Sequence, residues 1–319
     1  MHAIVTENLS RSFGQEVAVA GVDLAVAEGE IYGFLGPNGA GKSTTVRMLC
    51  TLLSPSGGRA TVGGLDVVKE AGAVRLRIGV ALQESALDEK QTGREILEMQ
   101  GRLYGMGGRA LSDRIDAVLK FVEIDDAIDR RVGTYSGGMK RRVDLASALI
   151  HEPEVLFLDE PTTGLDPVSR AKVWEEVRRL NDDLNVTIFL TTQYLEEADA
   201  LADRVGIIDA GEIVAQGTPE ELKRAVGNDV IVVAIDDAGA ELLSAVGGLD
   251  GVTDVSANNG EMVVSATNGA AVVNDLVVTM NGLGLRANAL TLRTPTLDDV
   301  FLNATGHRIV ADTAEGEDR

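Results

Sequence analysis

A run of glycines followed by a lysine and a hydroxyl residue is the part of the sequence best suited to chemistry. It reads GPNGAGKST and follows the apolar run 31–35. The pattern G-x-x-x-x-G-K-[ST] forms a loop whose backbone N–H groups surround phosphate oxygens, and a helix that begins there adds unpaired donors. An ordinary tight turn is the alternative, but the strand before and the helix after favour phosphate binding. The residues of this phosphate loop are Gly36, Pro37, Asn38, Gly39, Ala40, Gly41, Lys42, Ser43 and Thr44.

Two acidic residues follow a second apolar run. Asp159 and Glu160 come directly after residues 155–158, which is the pattern of a buried parallel strand whose carboxyl end opens into a site. Phosphoryl transfer needs a phosphate cradle, a metal ion and an oriented water molecule. Ser43 and Asp159 are oxygen donors suited to Mg²⁺, held directly or through water, and Glu160 is the candidate base for the attacking water. Lys42 supplies positive charge beside the phosphates.

Three other positions have residue types suited to binding a nucleotide. Ser136 to Gly138 precede a predicted helix over 141–150, and the backbone N–H groups at a helix N-terminus bind anions. Asp166 and the proline after it are the N-cap and first residue of another predicted helix. Phe13 lies upstream of the phosphate loop, where its ring could stack on a purine or fill the core. The residues alone favour neither of these roles for Phe13.

The pattern of apolar residues predicts two domains. Short apolar runs alternate with helical patterns over residues 1–226, which predicts an α/β domain, with a helical subdomain over about 86–150. Residues 227–306 follow the order βαββαβ, which is that of a ferredoxin-like α+β domain. The acidic tail over 307–319 is expected to be disordered.

The bulk composition argues against several classes of protein. The 319 residues include 29 Lys and Arg against 50 Asp and Glu, a net charge of −21. Such acidity argues against binding nucleic acid, whose phosphates are neutralised by basic side chains. No apolar run approaches the ~20 residues that span a bilayer, and the N-terminus lacks the features of a secretory signal, so we expect the protein to stay in the cytosol. The single cysteine, Cys50, forms no internal disulfide.

The motifs occur in an order that resembles the nucleotide-binding subunit of an ABC transporter, over about residues 3–226. The order is the phosphate loop, Gln83, the Ser-Gly-Gly stretch, the acid pair, Asp166 and then Gln193 after the next strand. The resemblance implies a P-loop NTPase fold of ABC type that binds ATP and Mg²⁺. It also implies a head-to-tail dimer, in which the phosphate loop of one copy and the Ser-Gly-Gly stretch of the other bind the same ATP.

The resemblance further implies a role for each site residue. Gln83 would contact the metal or water from the loop that faces the membrane partner, Asp166 would bridge the two copies, and Phe13 would stack on adenine. The catalytic residues would be Glu160, Gln193 and Lys42, and the metal-binding residues Ser43, Gln83 and Asp159. Nucleotide contacts beyond the phosphate loop would come from Phe13, Gln83, Ser136, Gly137, Gly138 and Asp166.

Two residues depart from the family pattern. Met139 stands where the family has glutamine, and Gln193 stands where it has histidine. Glutamine can donate a hydrogen bond to a γ-phosphate but cannot become a cation near neutral pH, so some stabilisation of the transition state is expected to be lost. We predict that Gln193 contacts the γ-phosphate. Slow hydrolysis is compatible with this change, but Glu160 is present as a base.

Three segments resemble the daunorubicin-resistance branch of multidrug-efflux ATPases, and with them the match covers nearly the whole chain. They are Tyr135–Met139, Thr191–Asp199 and Leu297–Leu302. This resemblance implies a separate membrane permease, a complex of two ATPase and two permease subunits, and export of a drug-like or lipid-like substrate. The ATPase would be peripheral, at the cytoplasmic face of the membrane. The resemblance also suggests that the C-terminal domain assists assembly of the dimer or of the complex with the permease.

Two other functions are left open. A soluble ABC ATPase of DNA repair or translation is disfavoured by the acidity, by the single nucleotide-binding domain and by the lack of long coiled-coil heptads. A regulatory module that binds nucleotide and rarely hydrolyses it is compatible with Met139 and Gln193.

Overall fold

The computed structural model describes residues 1–82, 87–122, 124–235, 239–258 and 261–307. Gln83 and the acidic tail after residue 307 lie outside the described residues. The described chain forms two compact units, Met1–Pro219 and Glu220–His307. Across these ranges, no helix combines the length and the apolar character needed to cross a membrane.

The first unit is a mixture of strands and helices. Its strands are β1 (His2–Phe13), β2 (Glu16–Ala27), β3 (Ile31–Leu35), β4 (Gly57–Val62), β5 (Leu65–Asp66), β6 (Ile78–Ala81), β7 (Val155–Asp159), β8 (Thr187–Thr192), β9 (Arg204–Asp209) and β10 (Glu212–Gly217). Its helices are α1 (Lys42–Leu49), α2 (Ala71–Arg77), α3 (Gly93–Leu103), α4 (Gly108–Val122), α5 (Gly137–Leu149), α6 (Pro167–Leu184) and α7 (Leu195–Leu201). Short 3₁₀ helices cover Asp125–Asp129 and Val132–Thr134.

The strands of the first unit form two sheets. The smaller sheet has the order β2-β1-β4-β5 and is antiparallel. The central sheet has the order β10-β9-β3-β8-β7-β6 and is parallel except for β10 at its edge. Strands β3, β7 and β8 are buried along their whole length, as expected for parallel strands covered on both faces. Because β8 lies between β3 and β7, the loops that follow these three strands meet at one edge of the sheet.

Alternate residues of the central sheet belong to two different hydrophobic cores. Phe34, Phe157 and Phe189 belong to the core shared with the antiparallel sheet and α1, and the rings of Phe34 and Phe157 lie 5.5 and 5.7 Å from that of Phe189. Leu156 and Leu190 belong to the other core, which includes residues of α3, α4 and α5. This alternation follows from the period of two along a strand. Close packing on both faces holds the ends of the strands, and therefore the site, in place.

Helix α5 begins earlier than the sequence indicated. We predicted a helix over 141–150, but α5 covers Gly137–Leu149. Ser136 is its N-cap, and the Ser136 hydroxyl accepts a hydrogen bond from the Met139 backbone N–H at 3.3 Å. The prediction was wrong because the glycine pair suggested a loop, whereas a serine cap outweighs the weak helix propensity of glycine in the first turn.

The second unit has the predicted βαββαβ order. Its elements are α8 (Pro219–Val226), which begins at the last residue of the first unit, β11 (Asp229–Ala234), α9 (Ala240–Gly247), β12 (Val252–Asn258), β13 (Glu261–Ala266), α10 (Gly269–Gly282), β14 (Ala289–Arg293) and α11 (Leu297–Thr305). The sheet has the order β12-β13-β11-β14, and all its pairs are antiparallel. This topology agrees with the predicted ferredoxin-like domain. Residues of the sheet, α9 and α10 share one hydrophobic core, which includes Ile231, Leu242 and Leu276.

Candidate active site

Three loops at one edge of the central sheet meet around a cavity of about 1040 Å³. The phosphate loop follows β3, Glu160 follows β7, and Gln193 follows β8. The predicted residues that line the cavity are Phe13, Asn38, Gly39, Gly41, Lys42, Ser43, Thr44, Glu160, Asp166 and Gln193. Gly36, Pro37 and Ala40, which belong to the phosphate loop, and Asp159, the last residue of β7, lie outside the lining.

The phosphate loop needs glycine at two positions for reasons of space. A Cβ atom at Gly36 would lie 2.2 Å from the Ile208 carbonyl oxygen, and one at Gly41 would lie 2.5 Å from the Ala18 carbonyl oxygen. Gly41 also has a φ of 105° and is the N-cap of α1, where it provides no side-chain cap. The first backbone N–H groups of α1 therefore have no side-chain acceptor at the cap, which is the arrangement that binds an anion at a helix N-terminus.

Lys42 contacts protein oxygen atoms that phosphate oxygens could replace. Its Nζ donates to the carbonyl oxygens of Gly36 at 2.8 Å and Pro37 at 3.1 Å, and it lies 3.3 Å from Glu160 Oε1. The side chain is buried, which lowers the pKa of Lys42, and the carboxylates of Glu160 and Asp159 oppose that shift. A buried cation with carbonyl and carboxylate partners is well placed to exchange them for phosphate oxygens.

The Asp159 carboxylate and the Ser43 hydroxyl form a small cluster of oxygen donors. Asp159 Oδ1 lies 3.3 Å from Ser43 Oγ and accepts a hydrogen bond from Thr191 Oγ1 at 2.5 Å. The β7–β8 register pairs Asp159 with Thr191, so this contact follows directly from strand order. Carboxylate and hydroxyl oxygens are the ligands that Mg²⁺ prefers. Ser43 and Asp159 are therefore the residues that could hold the ion.

Glu160 has a backbone conformation that non-glycine residues seldom adopt. Its φ is +48°. The backbone N–H of Glu160 donates to both the carbonyl oxygen and the side-chain hydroxyl of Thr191, at 3.1 and 3.0 Å. Its side-chain Oε2 accepts from Thr163 Oγ1 at 3.1 Å, while Oε1 faces Lys42. Backbone strain of this kind is found at functional sites, and here it orients a carboxylate into the cavity.

Gln193 follows β8 and the phosphate loop follows β3. Because β8 is next to β3, the two segments begin side by side. The backbone register pairs Leu35 at the end of β3 with Thr192, the residue before Gln193. The Gln193 side chain is 6% exposed. Within the described part of the chain, its Oε1 is buried without a hydrogen-bond partner. A buried acceptor that lacks a partner is costly, and a hydrogen-bond donor in this cavity, such as a water molecule, would relieve that cost.

The Ser-Gly-Gly stretch lies apart from the phosphate loop of its own chain. Ser136 and Gly138 line a different cavity, of about 240 Å³, between α5 and α6. Asp166, in contrast, lines the main cavity and caps α6, where its Oδ1 accepts from the backbone N–H groups of Val168 and Ser169 at 3.0 Å each. Hydrogen bonds from Ser169 hold the pKa of Asp166 below its usual value.

Phe13 lines the cavity and takes no part in the hydrophobic cores. It is 48% exposed. The guanidinium group of Arg11 lies 4.6 Å from the centre of the ring. Arg11 does not line the cavity, so the ring has a cation on one side and the cavity on another. Gln83, the remaining predicted residue, lies outside the described residues.

Two threonines of the site were missed by the sequence reasoning. Thr191 contacts both acidic residues, and Thr163 contacts the Glu160 carboxylate. Part of the signal for Thr191 was available, since it is a polar residue at the end of an apolar strand, but its place beside the strand that carries Asp159 depends on strand order. Thr163 belongs to a loop, where spacing alone does not indicate the direction of a side chain.

Comparison with known proteins identifies the family. A family model described as ABC transporter matches residues 19–163, and one described as ATP-binding protein DrrA1-3-like, C-terminal domain, matches residues 217–305. The daunorubicin resistance ATP-binding protein DrrA3 of Streptomyces coeruleorubidus is 49% identical over 306 residues, which cover 95% of this chain and 96% of that protein. The linearmycin resistance ATP-binding protein LnrL of Bacillus subtilis (strain 168) is 37% identical over 306 residues, 95% of this chain and 98% of that protein. The Nod factor export ATP-binding protein I of Rhizobium sp. (strain N33) is 40% identical over 309 residues, 96% of this chain and 98% of that protein.

Solved structures agree with this assignment. CbiO1 from Clostridium perfringens, part of the ABC transporter complex cbiONQ, aligns with a TM-score of 0.65 and 27% identity, over 70% of this chain and 93% of that chain. The ATP-binding cassette MJ0796, described as dimeric and bound to ADP and Pi, aligns with a TM-score of 0.61 at 24% identity, over 67% of this chain and 98% of that chain, and supports the fold alone. The chain therefore belongs to the ATP-binding subunits of ABC transporters, in the daunorubicin-resistance branch, and is an ATPase that binds ATP.

Proposed function

We propose that this chain powers export through a separate membrane permease by hydrolysing ATP in a site shared by two copies. The observation that carries the proposal is the division of the predicted site. Lys42, Glu160 and Gln193 line one cavity, whereas Ser136 and Gly138 line another. A second copy that turns its Ser-Gly-Gly stretch toward the phosphate loop would complete the cradle around the γ-phosphate.

Ser43 and Asp159 are the residues that would hold Mg²⁺. Their oxygen atoms lie 3.3 Å apart at the end of the phosphate loop, and both are ligands that suit a hard cation. Bound there, the ion would neutralise charge on the phosphate oxygens. Thr191 keeps the Asp159 carboxylate in place through its hydroxyl, so the donor set fits the ion without rearrangement of the strand ends.

Glu160 is the residue that would accept a proton from the attacking water. Lys42 and Thr163 hold its two carboxylate oxygens, and its backbone is held by Thr191. Gln193 would donate a hydrogen bond to the γ-phosphate through its side-chain amide. Because an amide is neutral, it offers less stabilisation than a cation as charge builds up. We therefore expect turnover that depends on Glu160 and is modulated by Gln193.

The partner and the cargo follow from the relatives. The relatives are described as serving daunorubicin resistance, linearmycin resistance and Nod factor export, so an amphipathic, drug-like or lipid-like cargo is the class that fits this chain. The same relatives are described as ATP-binding proteins, which supports a separate permease chain as the path for the cargo. The ATPase would then be peripheral, at the cytoplasmic face of the membrane. Residues 1–226 would form the ATPase domain and 227–306 a domain that assists assembly.

The test compares the wild type with Glu160→Gln in the presence of a candidate permease. We expect the chain to sediment with membranes when a multi-span protein encoded beside it is co-expressed. We expect ATP turnover that falls about 100-fold or more in Glu160→Gln, as when a general base is removed. Equal and negligible turnover in both proteins would instead support a regulatory module, and membrane association independent of any multi-span partner would contradict the transport role.

A further inference from the structure

Glu197 is a buried carboxylate that none of the roles above uses. It lies on α7, four residues after Gln193, and its side chain is 0% exposed. It does not line the cavity. Acidic side chains are seldom fully buried unless they are hydrogen-bonded to specific partners. The partners of Glu197 therefore indicate what it does.

One oxygen of Glu197 joins three segments of the site. Oε1 accepts a hydrogen bond from Thr162 Oγ1 at 2.9 Å and another from Trp174 Nε1 at 3.0 Å. Thr162 belongs to the loop between Glu160 and Asp166. Trp174 belongs to α6, the helix that Asp166 caps. Glu197 therefore connects α7 to the loop that follows Glu160 and to α6, the helix that Asp166 caps.

A second contact joins the same segments. Arg170 on α6 lies over the ring of Tyr194, 4.5 Å from its centre, and its Nε donates to the Leu165 carbonyl oxygen at 3.2 Å. Tyr194 directly follows Gln193, and Leu165 directly precedes Asp166. Burial raises the pKa of Glu197, and hydrogen bonds from Thr162 and Trp174 and the charge of Arg170 oppose that shift. Oε1, the atom that accepts both hydrogen bonds, is what links the three segments.

We propose that Glu197 is a positioning residue that keeps Gln193 and Asp166 in a fixed relation. When a second copy contacts Asp166, movement of that loop is passed through Thr162 and Glu197 to α7, and so to Gln193. The side chain that contacts the γ-phosphate thus takes up its active position when the dimer forms. This inference rests on the proposed shared site.

The experiment compares Glu197→Ala with Glu197→Gln and with a matched control. Glu196→Ala changes the neighbouring residue, which is exposed on the same helix. We expect Glu197→Ala to lower kcat by about 10-fold or more, the cost of losing hydrogen bonds that hold a reacting group in place, with the Kd for Mg-ATP within about threefold of the wild type. Glu197→Gln keeps an oxygen acceptor and is expected to recover most of the loss, and Glu196→Ala to match the wild type.

A second readout follows dimer formation. In a Glu160→Gln background, which retains ATP, we expect ATP to drive dimer formation less well when Glu197→Ala is added, as measured by sedimentation velocity. A purely structural role for Glu197 would lower thermal stability and nucleotide affinity together. If Glu197 is a positioning residue, its loss changes kcat and dimer formation but leaves the affinity of the single chain for nucleotide unchanged.

Two further variants keep the proposal testable if Glu197→Ala does not fold. Thr162→Val removes one hydrogen bond to Glu197 with little change of shape, and Trp174→Phe removes the other together with part of the indole ring. Each is expected to lower kcat about threefold to tenfold. Unchanged kcat in both, or in a folded Glu197→Ala, would overturn the inference. A parallel loss of kcat and nucleotide affinity would also overturn it. A wild type without ATP turnover would contradict the proposed function instead, so the two failures are distinguishable.

Discussion

At the scale of residues, hydrogen bonds and ion pairs already hold most of the polar side chains of the site in place. Lys42, Asp159 and Glu160 are all buried or nearly so, and each has at least two contacts that hold its side chain. Such preorganisation favours catalysis, because little reorganisation is needed when the substrate's charge changes. Gln193 differs, since its Oε1 lacks a partner among the described residues. Its Oε1 is therefore available to accept a hydrogen bond from a donor in the cavity, such as the attacking water.

Substitution of Gln193 by alanine tests whether it senses the γ-phosphate. We expect Gln193→Ala to lower ATP turnover by about 10-fold, the range seen when one hydrogen bond to a charged group is removed. The affinity for ADP, which lacks the γ-phosphate, is expected to stay unchanged. Steady-state turnover and a titration with each nucleotide measure both effects. If turnover and ATP affinity are unchanged in Gln193→Ala, the residue has no such role.

Substitution of Phe13 by alanine tests whether the ring stacks on the base. We expect Phe13→Ala to raise the KM for ATP about fivefold or more, because stacking of a base on an aromatic ring is worth about 1–3 kcal/mol. The kcat is expected to change little, since the ring would contact the base and not the reacting phosphate. Phe13→Tyr keeps the ring and serves as the control. Equal KM values for the wild type and Phe13→Ala would place the base elsewhere in the cavity.

At the scale of elements, the sequence revealed which segments are strands and helices more readily than how they are arranged. The apolar runs at β3, β7 and β8 predicted strands, with that of β7 a buried parallel one, and the βαββαβ pattern predicted the second unit. The position of β8 between β3 and β7 could not be read from the sequence, because strand order depends on long-range packing. Glu197 is a second example, because acidic side chains are usually exposed and only its tertiary contacts bury it.

Helix α5 gives a prediction about pH. Asp144 on this helix lies 3.4 Å from Arg141, which also donates to the Leu82 carbonyl oxygen just after β6. Burial raises the pKa of Asp144 to about 6, in spite of the charge of Arg141. A folded-state pKa above the unfolded one means that the favourable contribution of Asp144 is full below about pH 4 and is lost as the pH rises through 6.

Asp144→Asn should therefore remove part of the pH dependence of stability. Asparagine keeps a hydrogen-bond acceptor for Arg141 without the cost of a buried charge. Relative to the wild type, we expect the free energy of unfolding of Asp144→Asn to increase by about 1–3 kcal/mol between pH 4 and pH 7. Urea unfolding followed through Trp174, the single tryptophan, measures the difference. Asp113→Asn, an exposed acid on α4, is the control, and identical pH dependence for Asp144→Asn and the wild type would refute the shift.

At the scale of the whole molecule, the phosphate loop and the Ser-Gly-Gly stretch, the two halves of the proposed shared site, line different cavities of one chain. The main cavity has the phosphate loop and the candidate base, and the separate cavity between α5 and α6 has the Ser-Gly-Gly stretch. A symmetric dimer supplies each half twice and so makes two complete sites. The resemblance of the sequence to a family implies this arrangement. The structure adds that the phosphate loop and the Ser-Gly-Gly stretch of one chain line separate cavities.

A complementation experiment tests whether the active site is shared. Lys42→Ala disables the phosphate loop. Gly137→Glu disables the Ser-Gly-Gly stretch, since a Cβ atom at Gly137 meets nothing within 4 Å and an acidic side chain at a helix N-terminus favours folding while it repels phosphate. Each variant alone is expected to be inactive. A dimer with one copy of each variant has one site with both defects and one intact site.

Mixing the two variants should therefore restore ATP turnover. In an equal mixture about half of the dimers are mixed, and each has one intact site of two, so we expect up to about a quarter of wild-type activity if the sites work independently. The same mixture made with the double variant Lys42→Ala/Gly137→Glu in place of one partner has no intact site and is the control. A site confined to one chain would give no recovery in any mixture, because every copy would carry its own defect. Recovery that requires both partners would assign the catalytic site to the interface between two copies.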